Sequence, residues 1–408
     1  MRHKYGLIAL IVLAITAVLW ADSSYAPAGD TIKLGFVADA TGAGAPWYKS
    51  QKAGIDLFIE ETNAAGGILG KKLELVVRDS ALNPDKGEAA AEDLILKDKC
   101  DFLLGPSSSG VALRVTKVAK KYKKIVMFHS CNSESLTTTD FQPYMFQVVP
   151  NTGIESRGIA QFYSLRPYKR FSYIGPDYDY ARNWWSNFKS AITKAKPDVQ
   201  LLSETWVKLG ETDFSAYIPA LIRDKPEIVV TNLWGDSLEK FIRQVQPTGL
   251  LEKASLTSLC DLELLKSMGK DMPEGMLGYT RCAFYSGRDR KMKDFVDKFY
   301  AKYQDWPACW ATMVYDGLIA LTEAIKKAGT LDSDKIVHAL EGMPYRSLRG
   351  YRYIRTEDHM ADVGVYVGWT GKDSRFDKFL VLKNVAVVPA EQVWLPVEEV
   401  KKLQSGKH

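Results

Sequence analysis

Strand-like and helix-like patterns alternate along this chain from residue 31 onwards, and this alternation restricts its fold more than any other feature. Residues 31–38 form an apolar run with polar alternation, and a helical pattern follows with Ile55, Phe58 and Ile59 on one face. The same rhythm resumes after Pro150. Strands separated by helices of this length form parallel sheets with right-handed crossovers. The sequence therefore predicts an α/β protein with two doubly wound parallel-sheet lobes.

Doubly wound sheets bind their ligands beyond the carboxyl ends of the strands. A functional site is therefore expected where loops follow the predicted strands. These loops cover residues 39–47, 105–110, 129–137, 176–182, 234–236 and 260–262.

The first 28 residues have the pattern of an export signal. Arg2 and Lys4 precede an uncharged, mainly apolar run from Tyr5 to Trp20, and small residues follow as far as Ala28. The apolar run is shorter than the roughly 20 residues that a membrane span needs. We expect cleavage after Ala28 and a soluble, exported protein, with an uncleaved N-terminal anchor as the alternative.

The charge balance gives no indication of a polyanionic partner. The 408 residues include 54 Lys and Arg and 49 Asp and Glu, a formal net charge of +5. A charge this small for the length does not call for nucleic acid. The length itself is that of two domains.

The five cysteines allow two interpretations. An exported protein can keep disulfides, and Cys260 and Cys282 each follow a strand-like run, so neighbouring strands would bring them together. The alternative is that Cys100, Cys131, Cys309 and this pair are all small buried apolar residues. Their spacing fits no zinc motif.

Two serine-rich loops are the candidates for holding an anion. Ser107, Ser108, Ser109 and Gly110 lead directly into a helical pattern, and a helix N-terminus favours an anion such as a carboxylate. The alternative is that Ser109 only caps its own helix. The loop 130–133, which contains Ser130 and Asn132, adds further donors or serves only as a turn.

Aromatic residues recur in the loops at the predicted strand ends. Such rings can cover an apolar ligand and still offer a hydrogen bond, although any one of them alone is more often an ordinary packing residue. They are Trp47, Tyr48, Tyr178, Tyr180 and Trp234. Asp261 also follows a strand and is placed either to neutralise a ligand ammonium group or to lie in solvent.

No catalytic constellation is recognisable in the sequence. The segment 105–110 lacks the second glycine of a nucleophile elbow, and the segment 66–72 is one residue short of a phosphate-binding loop. His129, His338 and His359 have no metal-ligand spacing. We therefore expect a protein that is not an enzyme and that needs neither a cofactor nor a metal.

Several segments resemble the type I periplasmic solute-binding proteins of branched-chain amino acid ABC transporters and their relatives for amides, urea and aromatic acids. The most specific is the stretch 63–77, which begins Asn-Ala-Ala-Gly-Gly-Ile-Leu-Gly. Further similar segments lie at 41–42, 105–109, 178–182, 210–215 and 315–317.

The resemblance implies two lobes joined by crossing hinge segments, with the ligand trapped between them. It implies a first lobe of residues 31–147 plus 285–345 and a second of 148–284 plus 346–400. It also implies a periplasmic, monomeric protein that delivers its ligand to an inner-membrane ABC permease.

The same resemblance assigns roles to seven residues. Ser109 and the backbone amides of Ser130 and Asn132 would hold a ligand carboxylate. Trp47, Tyr180 and Trp234 would line the cleft, and Asp261 would meet an ammonium group.

The sequence also departs from the family pattern at the site. His129 to Asn132 replace a loop usually rich in proline and alanine, and Ala181 replaces a glycine. We expect a small carboxylate such as a branched-chain or other amino acid as the ligand. The alternatives are an aromatic acid, an amide or urea, or a role as a soluble ligand sensor.

Overall fold

The computed structural model describes residues 31–287 and 289–406. The predicted export signal at 1–28 lies outside the described residues. None of the helices in the described part of the chain combines the length and the apolar composition of a membrane span.

The first large sheet has five parallel strands in the order β2-β1-β3-β4-β5. Its strands are β1 Ile32–Ala38, β2 Leu73–Asp79, β3 Phe102–Leu104, β4 Val126–Phe128 and β5 Met145–Gln147. The helices between them are α1 Ala45–Ala64, α2 Pro84–Leu96 and α3 Ser109–Tyr122. β5 has no counterpart in the sequence prediction.

The second large sheet has seven strands in the order β14-β13-β10-β9-β8-β6-β7. Its strands are β6 Arg170–Pro176, β7 Gln200–Val207, β8 Ile228–Thr231, β9 Ser255–Leu259, β10 Leu277–Thr280, β13 Val365–Asp373 and β14 Phe376–Val388. The helices before and among its first five strands are α4 Thr152–Ser164, α5 Asp179–Ala195, α6 Ile218–Asp224, α7 Gly235–Val245 and α8 Leu262–Met268.

Both sheets confirm the predicted α/β class with parallel-sheet cores. The second sheet adds an antiparallel edge, because β13 runs against β10 and β14 runs against β13. The strand-like tail of the sequence thus extends the sheet formed by the middle of the chain.

Later helices return to the first sheet. The remaining elements are α9 Arg290–Tyr303, α10 Cys309–Ala328, α11 Ser333–Leu340, the hairpin β11 Pro344–Ser347 and β12 Gly350–Tyr353, and α12 Val397–Gln404. α10 packs against α1, and a Cβ atom at Gly54 would lie 2.6 Å from the carbonyl oxygen of Ala311. Only a glycine permits this close approach. The lobe boundaries at 148, 285 and 346 stay predictions.

The disulfide considered for Cys260 and Cys282 is not formed. Both are buried free thiols, as are Cys100, Cys131 and Cys309. β9 and β10 are parallel neighbours with Leu259 opposite Tyr279, so Cys260 continues opposite Thr280 and Cys282 lies two residues further along the chain. The cysteines therefore follow the second interpretation, as small buried apolar residues.

Candidate functional site

A cavity of about 430 Å³ lies between the strand-end loops of the two large sheets. All seven residues predicted for the site line it. These are Trp47, Ser109, Ser130, Asn132, Tyr180, Trp234 and Asp261. The parallel topology brings them together from segments up to 214 positions apart in the chain. Their contacts with a ligand stay a prediction.

The serine loop presents a helix N-terminus to the cavity. α3 begins at Ser109, and the capping residue Ser108 makes no side-chain hydrogen bond to the helix. Among the described residues, the backbone N–H groups of Ser109 and Gly110 have no protein acceptor. Because both residues line the cavity, this end of the helix is suited to an anion.

Asp39, which follows β1, binds the backbone of this serine loop through hydrogen bonds. Its Oδ2 accepts hydrogen bonds from the backbone N–H groups of Ser107 at 2.8 Å and Ser108 at 3.0 Å. Its Oδ1 accepts from the hydroxyl of Ser80. Burial raises the pKa of Asp39. The sequence analysis did not single out this residue, although it stands directly at a strand end.

Gln51 and His129 form a second buried layer behind the serines. Gln51 Nε2 donates to Ser107 Oγ and to Ser130 Oγ, each at 2.8 Å. His129 Nδ1 lies 2.8 Å from Ser130 Oγ. Burial lowers the pKa of His129 to about 3, so its imidazole is neutral. The sequence analysis did not identify Gln51 as part of the site.

The side chain of Asn132 faces an ion pair. Its Nδ2 donates to Glu155 Oε2 at 3.0 Å, and Glu155 Oε1 accepts from Arg281 Nε at 2.6 Å. Glu155 is 0% exposed. The side-chain Nδ2 group of Asn132 is therefore already hydrogen-bonded within the protein.

Two charged residues of the cavity wall, Arg281 and Asp179, were not assigned to the site by the sequence analysis. Arg281 follows β10 and lines the cavity, with its guanidinium carbon 5.0 Å from the ring centre of Trp310. Burial by itself lowers the pKa of Arg281, but the Glu155 carboxylate outweighs this and raises it, so the guanidinium stays charged. The signal available in the sequence was a lone arginine directly after the apolar run that forms β10.

Asp261 lines the cavity and is also the N-cap residue of α8. Its Oδ1 accepts from the backbone N–H of Leu264 at 3.1 Å and so caps α8. Burial raises the pKa of Asp261. Burial, followed by the charge of Asp261, raises the pKa of its neighbour Glu263 to about 8. Carboxyl groups are thus crowded on this side of the cavity.

Aromatic rings form much of the remaining wall. The ring of Trp47 lies 5.1 Å from that of Trp234 and 5.6 Å from that of Trp310, between centres. Trp234 Nε1 donates to the Tyr178 hydroxyl at 2.9 Å. Tyr48 does not line the cavity and packs on Phe36 instead. The cavity therefore combines an apolar aromatic body with polar groups at its edges.

Comparison with known proteins gives consistent results. Residues 31–373 match the family described as periplasmic binding protein. A leucine-, isoleucine-, valine-, threonine- and alanine-binding protein of Pseudomonas aeruginosa is 24% identical over 329 residues, which are 80% of this chain and 87% of that protein.

Two solved structures share the fold. One is a solute-binding protein of an ABC transporter from Rhodopseudomonas palustris BisB5 in complex with 3,4-dihydroxybenzoic acid, with a TM-score of 0.80, 24% identity and coverage of 89% of this chain and 98% of that one. The other, an R. palustris solute-binding protein in complex with 4-hydroxybenzoate, has a TM-score of 0.81, 20% identity and coverage of 90% and 99%.

Proposed function

This chain belongs to the periplasmic binding protein family, and on that premise we propose that it is the solute-binding component of an ABC importer and takes a small carboxylate into its cavity. The observation that carries the proposal is the serine side of the cavity. Two unpaired N–H groups at the start of α3 and the hydroxyls of Ser109 and Ser130 surround one space. These N–H and O–H groups can donate hydrogen bonds to a ligand, and a carboxylate suits them because it only accepts hydrogen bonds.

We propose an aromatic acid as the ligand that fits this cavity best. Trp47, Trp234 and Trp310 offer flat faces that match an aromatic ring. The charged guanidinium of Arg281 lies on the same side of the cavity as Asp261 and weakens the attraction of that carboxylate for a ligand ammonium group. Solved structures of the same fold hold 3,4-dihydroxybenzoic acid and 4-hydroxybenzoate.

An aliphatic α-amino acid is the second candidate, and Asp261 is the observation that favours it. Asp261 uses one carboxylate oxygen to cap α8, and its other oxygen is available to an ammonium group. The relative from P. aeruginosa is a binder of leucine, isoleucine, valine, threonine and alanine.

The wider role follows from the family. We propose a periplasmic location after removal of residues 1–28, action as a monomer, and delivery of the ligand to an inner-membrane permease. Closure would be a hinge motion in which the ligand stabilises the state that binds it better. A soluble sensor subunit is the alternative role for the same binding event, and no chemical step is required in either.

A melting-temperature screen tests the proposal. The panel consists of leucine, valine, benzoate, 4-hydroxybenzoate, benzamide and urea. A ligand at 100 times its dissociation constant stabilises the fold by about 2.7 kcal/mol. We expect a shift with 4-hydroxybenzoate or benzoate and none with urea. A shift with leucine and valine alone would favour the second candidate, and no shift with any carboxylate would overturn the carboxylate site.

A further inference from the structure

Gln51 connects the two serine loops without reaching the cavity itself. It lies on α1, is 1% exposed, and is absent from the cavity wall. Its Nε2 donates to Ser107 Oγ and Ser130 Oγ, which lie 56 and 79 positions further along the chain. Both serines line the cavity. One buried amide group therefore contacts a hydroxyl in each serine loop, and one of the two, that of Ser130, belongs to the proposed anion site.

The chemistry of the amide fixes the direction of these hydrogen bonds. An amide nitrogen has two protons and accepts nothing, so it gives one proton to each serine oxygen. A hydroxyl has a single proton of its own. Since Ser107 and Ser130 accept from Gln51, their own protons are available for other acceptors.

His129 adds to this constraint at Ser130. Its Nδ1 is 2.8 Å from Ser130 Oγ, and its buried Nε2 has no partner among the described residues. A neutral imidazole with its proton on Nδ1 uses its single N–H on Ser130 and leaves no buried N–H unpaired. Ser130 then accepts twice, and with no other acceptor for its proton recorded in the described part of the chain, that proton is left for an acceptor in the cavity.

We infer that Gln51 is a positioning residue that makes the serine side of the cavity donate and therefore selects anions. The inference rests on the proposed function, because the direction of these protons matters only if a carboxylate binds there. It adds that the preference for a carboxylate over a neutral amide is set by a residue that does not touch the ligand.

The isosteric substitution Gln51→Glu tests this directly. The new carboxyl group has at most one proton where the amide nitrogen has two, so at least one of Ser107 and Ser130 would have to donate to it and turn a lone pair towards the cavity. We expect the dissociation constant for the bound carboxylate to rise at least about 100-fold. A hydrogen bond to the charged ligand is lost, and a serine lone pair that repels the ligand takes its place. Gln51→Met, of similar size and without polar atoms, should lose only about tenfold.

The decisive quantity is the ratio of affinities for a carboxylate and its primary amide, measured by calorimetry. The pairs are benzoate with benzamide and leucine with leucinamide, using the pair whose acid the wild type binds. Gln51→Glu should remove the preference for the acid, whereas general damage to the fold would lower both affinities alike. Melting temperatures of the ligand-free variants provide the check on folding.

Two failures can be told apart. A wild type that binds neither acid would overturn the proposed function. A wild type that prefers the acid, together with a Gln51→Glu variant that keeps this preference, would overturn the role of Gln51 alone. Should Gln51→Glu fail to fold, nitrogen NMR of His129 in the wild type decides: a proton on Nδ1 supports the inference, and a proton on Nε2 overturns it.

Discussion

The two sides of the cavity are built on different physical principles. On the side of the first sheet, the hydroxyl groups that line the cavity are the neutral ones of Ser107, Ser109 and Ser130. Gln51 binds the hydroxyls of Ser107 and Ser130, and Asp39 binds the backbone of the loop that contains Ser107. On the side of the second sheet, the charged residues Arg281, Asp261 and Asp179 line the cavity. One side depends on hydrogen-bond geometry and the other on a balance of buried charges.

This difference determines how each side responds to change. Neutral donors keep their character over a wide pH range, so the first side gives steady recognition of an anion. Buried charges depend on each other, because removing one partner leaves the other without compensation. Substitutions on the second side should therefore act mainly on stability, and those on the first side mainly on affinity.

Arg281→Met should have the largest effect on stability. Glu155 would keep Asn132 as a hydrogen-bond partner but lose its cation in a fully buried position. We expect the free energy of unfolding to fall by about 3–5 kcal/mol, measured by denaturant titration.

Two controls sharpen this result. Arg182→Met removes an exposed ion pair with Asp177 and the contact of the guanidinium with the ring of Trp206, and should cost less than about 2 kcal/mol. The double substitution Glu155→Gln with Arg281→Met removes both charges and should recover part of the loss. Equal losses for Arg281→Met and Arg182→Met would contradict the charge-balanced second side.

Glu263 should make stability depend on pH. Burial and the charge of Asp261 raise its folded-state pKa from 4.5 to about 8, so between these values the folded state binds more protons than the unfolded state. The contribution of Glu263 therefore lowers stability as pH rises through this window.

Glu263→Gln cannot titrate and should remove this part of the decline. We expect the variant to gain on the order of 2 kcal/mol relative to the wild type between pH 5 and pH 8, measured by denaturant titration at each pH. Parallel stability curves for the two proteins would show that Glu263 titrates normally.

Asp39→Ala should weaken binding on the first side. The N–H groups of Ser107 and Ser108 would lose their acceptor, and the loop before α3 would lose its fixed position. We expect the affinity for the bound carboxylate to fall about tenfold, measured by calorimetry. Asp39→Asn keeps an oxygen for both N–H groups and should retain most of the affinity. An equal loss in both variants would assign the effect to charge instead of geometry.

Tyr178→Phe should have the smallest effect of the set. Trp234 Nε1 would lose its acceptor, while the ring stays in the aromatic wall. We expect an affinity loss of about threefold. Tyr48→Phe is the matched control, because Tyr48 does not line the cavity, and it should leave the affinity unchanged.

The sequence was sufficient to predict which loops meet, because parallel strands place their carboxyl ends at one edge of a sheet. The seven residues whose roles the family resemblance supplied belong to these loops, and all seven line one cavity. The class of fold followed from the same alternation. The antiparallel β13 and β14 did not follow, because pairing direction depends on where a distant segment docks.

The supporting residues were beyond prediction for a different reason. Gln51 is one polar residue on a helix, and its partners Ser107 and Ser130 lie on loops far along the chain. Arg281 was hidden in an apolar run, and its partner Glu155 lies 126 positions away. A sequence shows which residues lie at a strand end. Contacts between distant parts of the chain decide which of these residues are hydrogen-bonded or paired with an opposite charge, and which remain available to a ligand.

A crystal structure with the carboxylate that gives the largest melting shift tests the central claim most directly. We predict that the ligand carboxylate accepts hydrogen bonds from the Ser109 and Ser130 hydroxyls and the first N–H groups of α3, with donor–acceptor distances of about 2.7–3.2 Å. Its apolar body should lie against Trp47, Trp234 and Trp310. A ligand bound with its carboxylate on Arg281, away from the serine loops, would contradict the account.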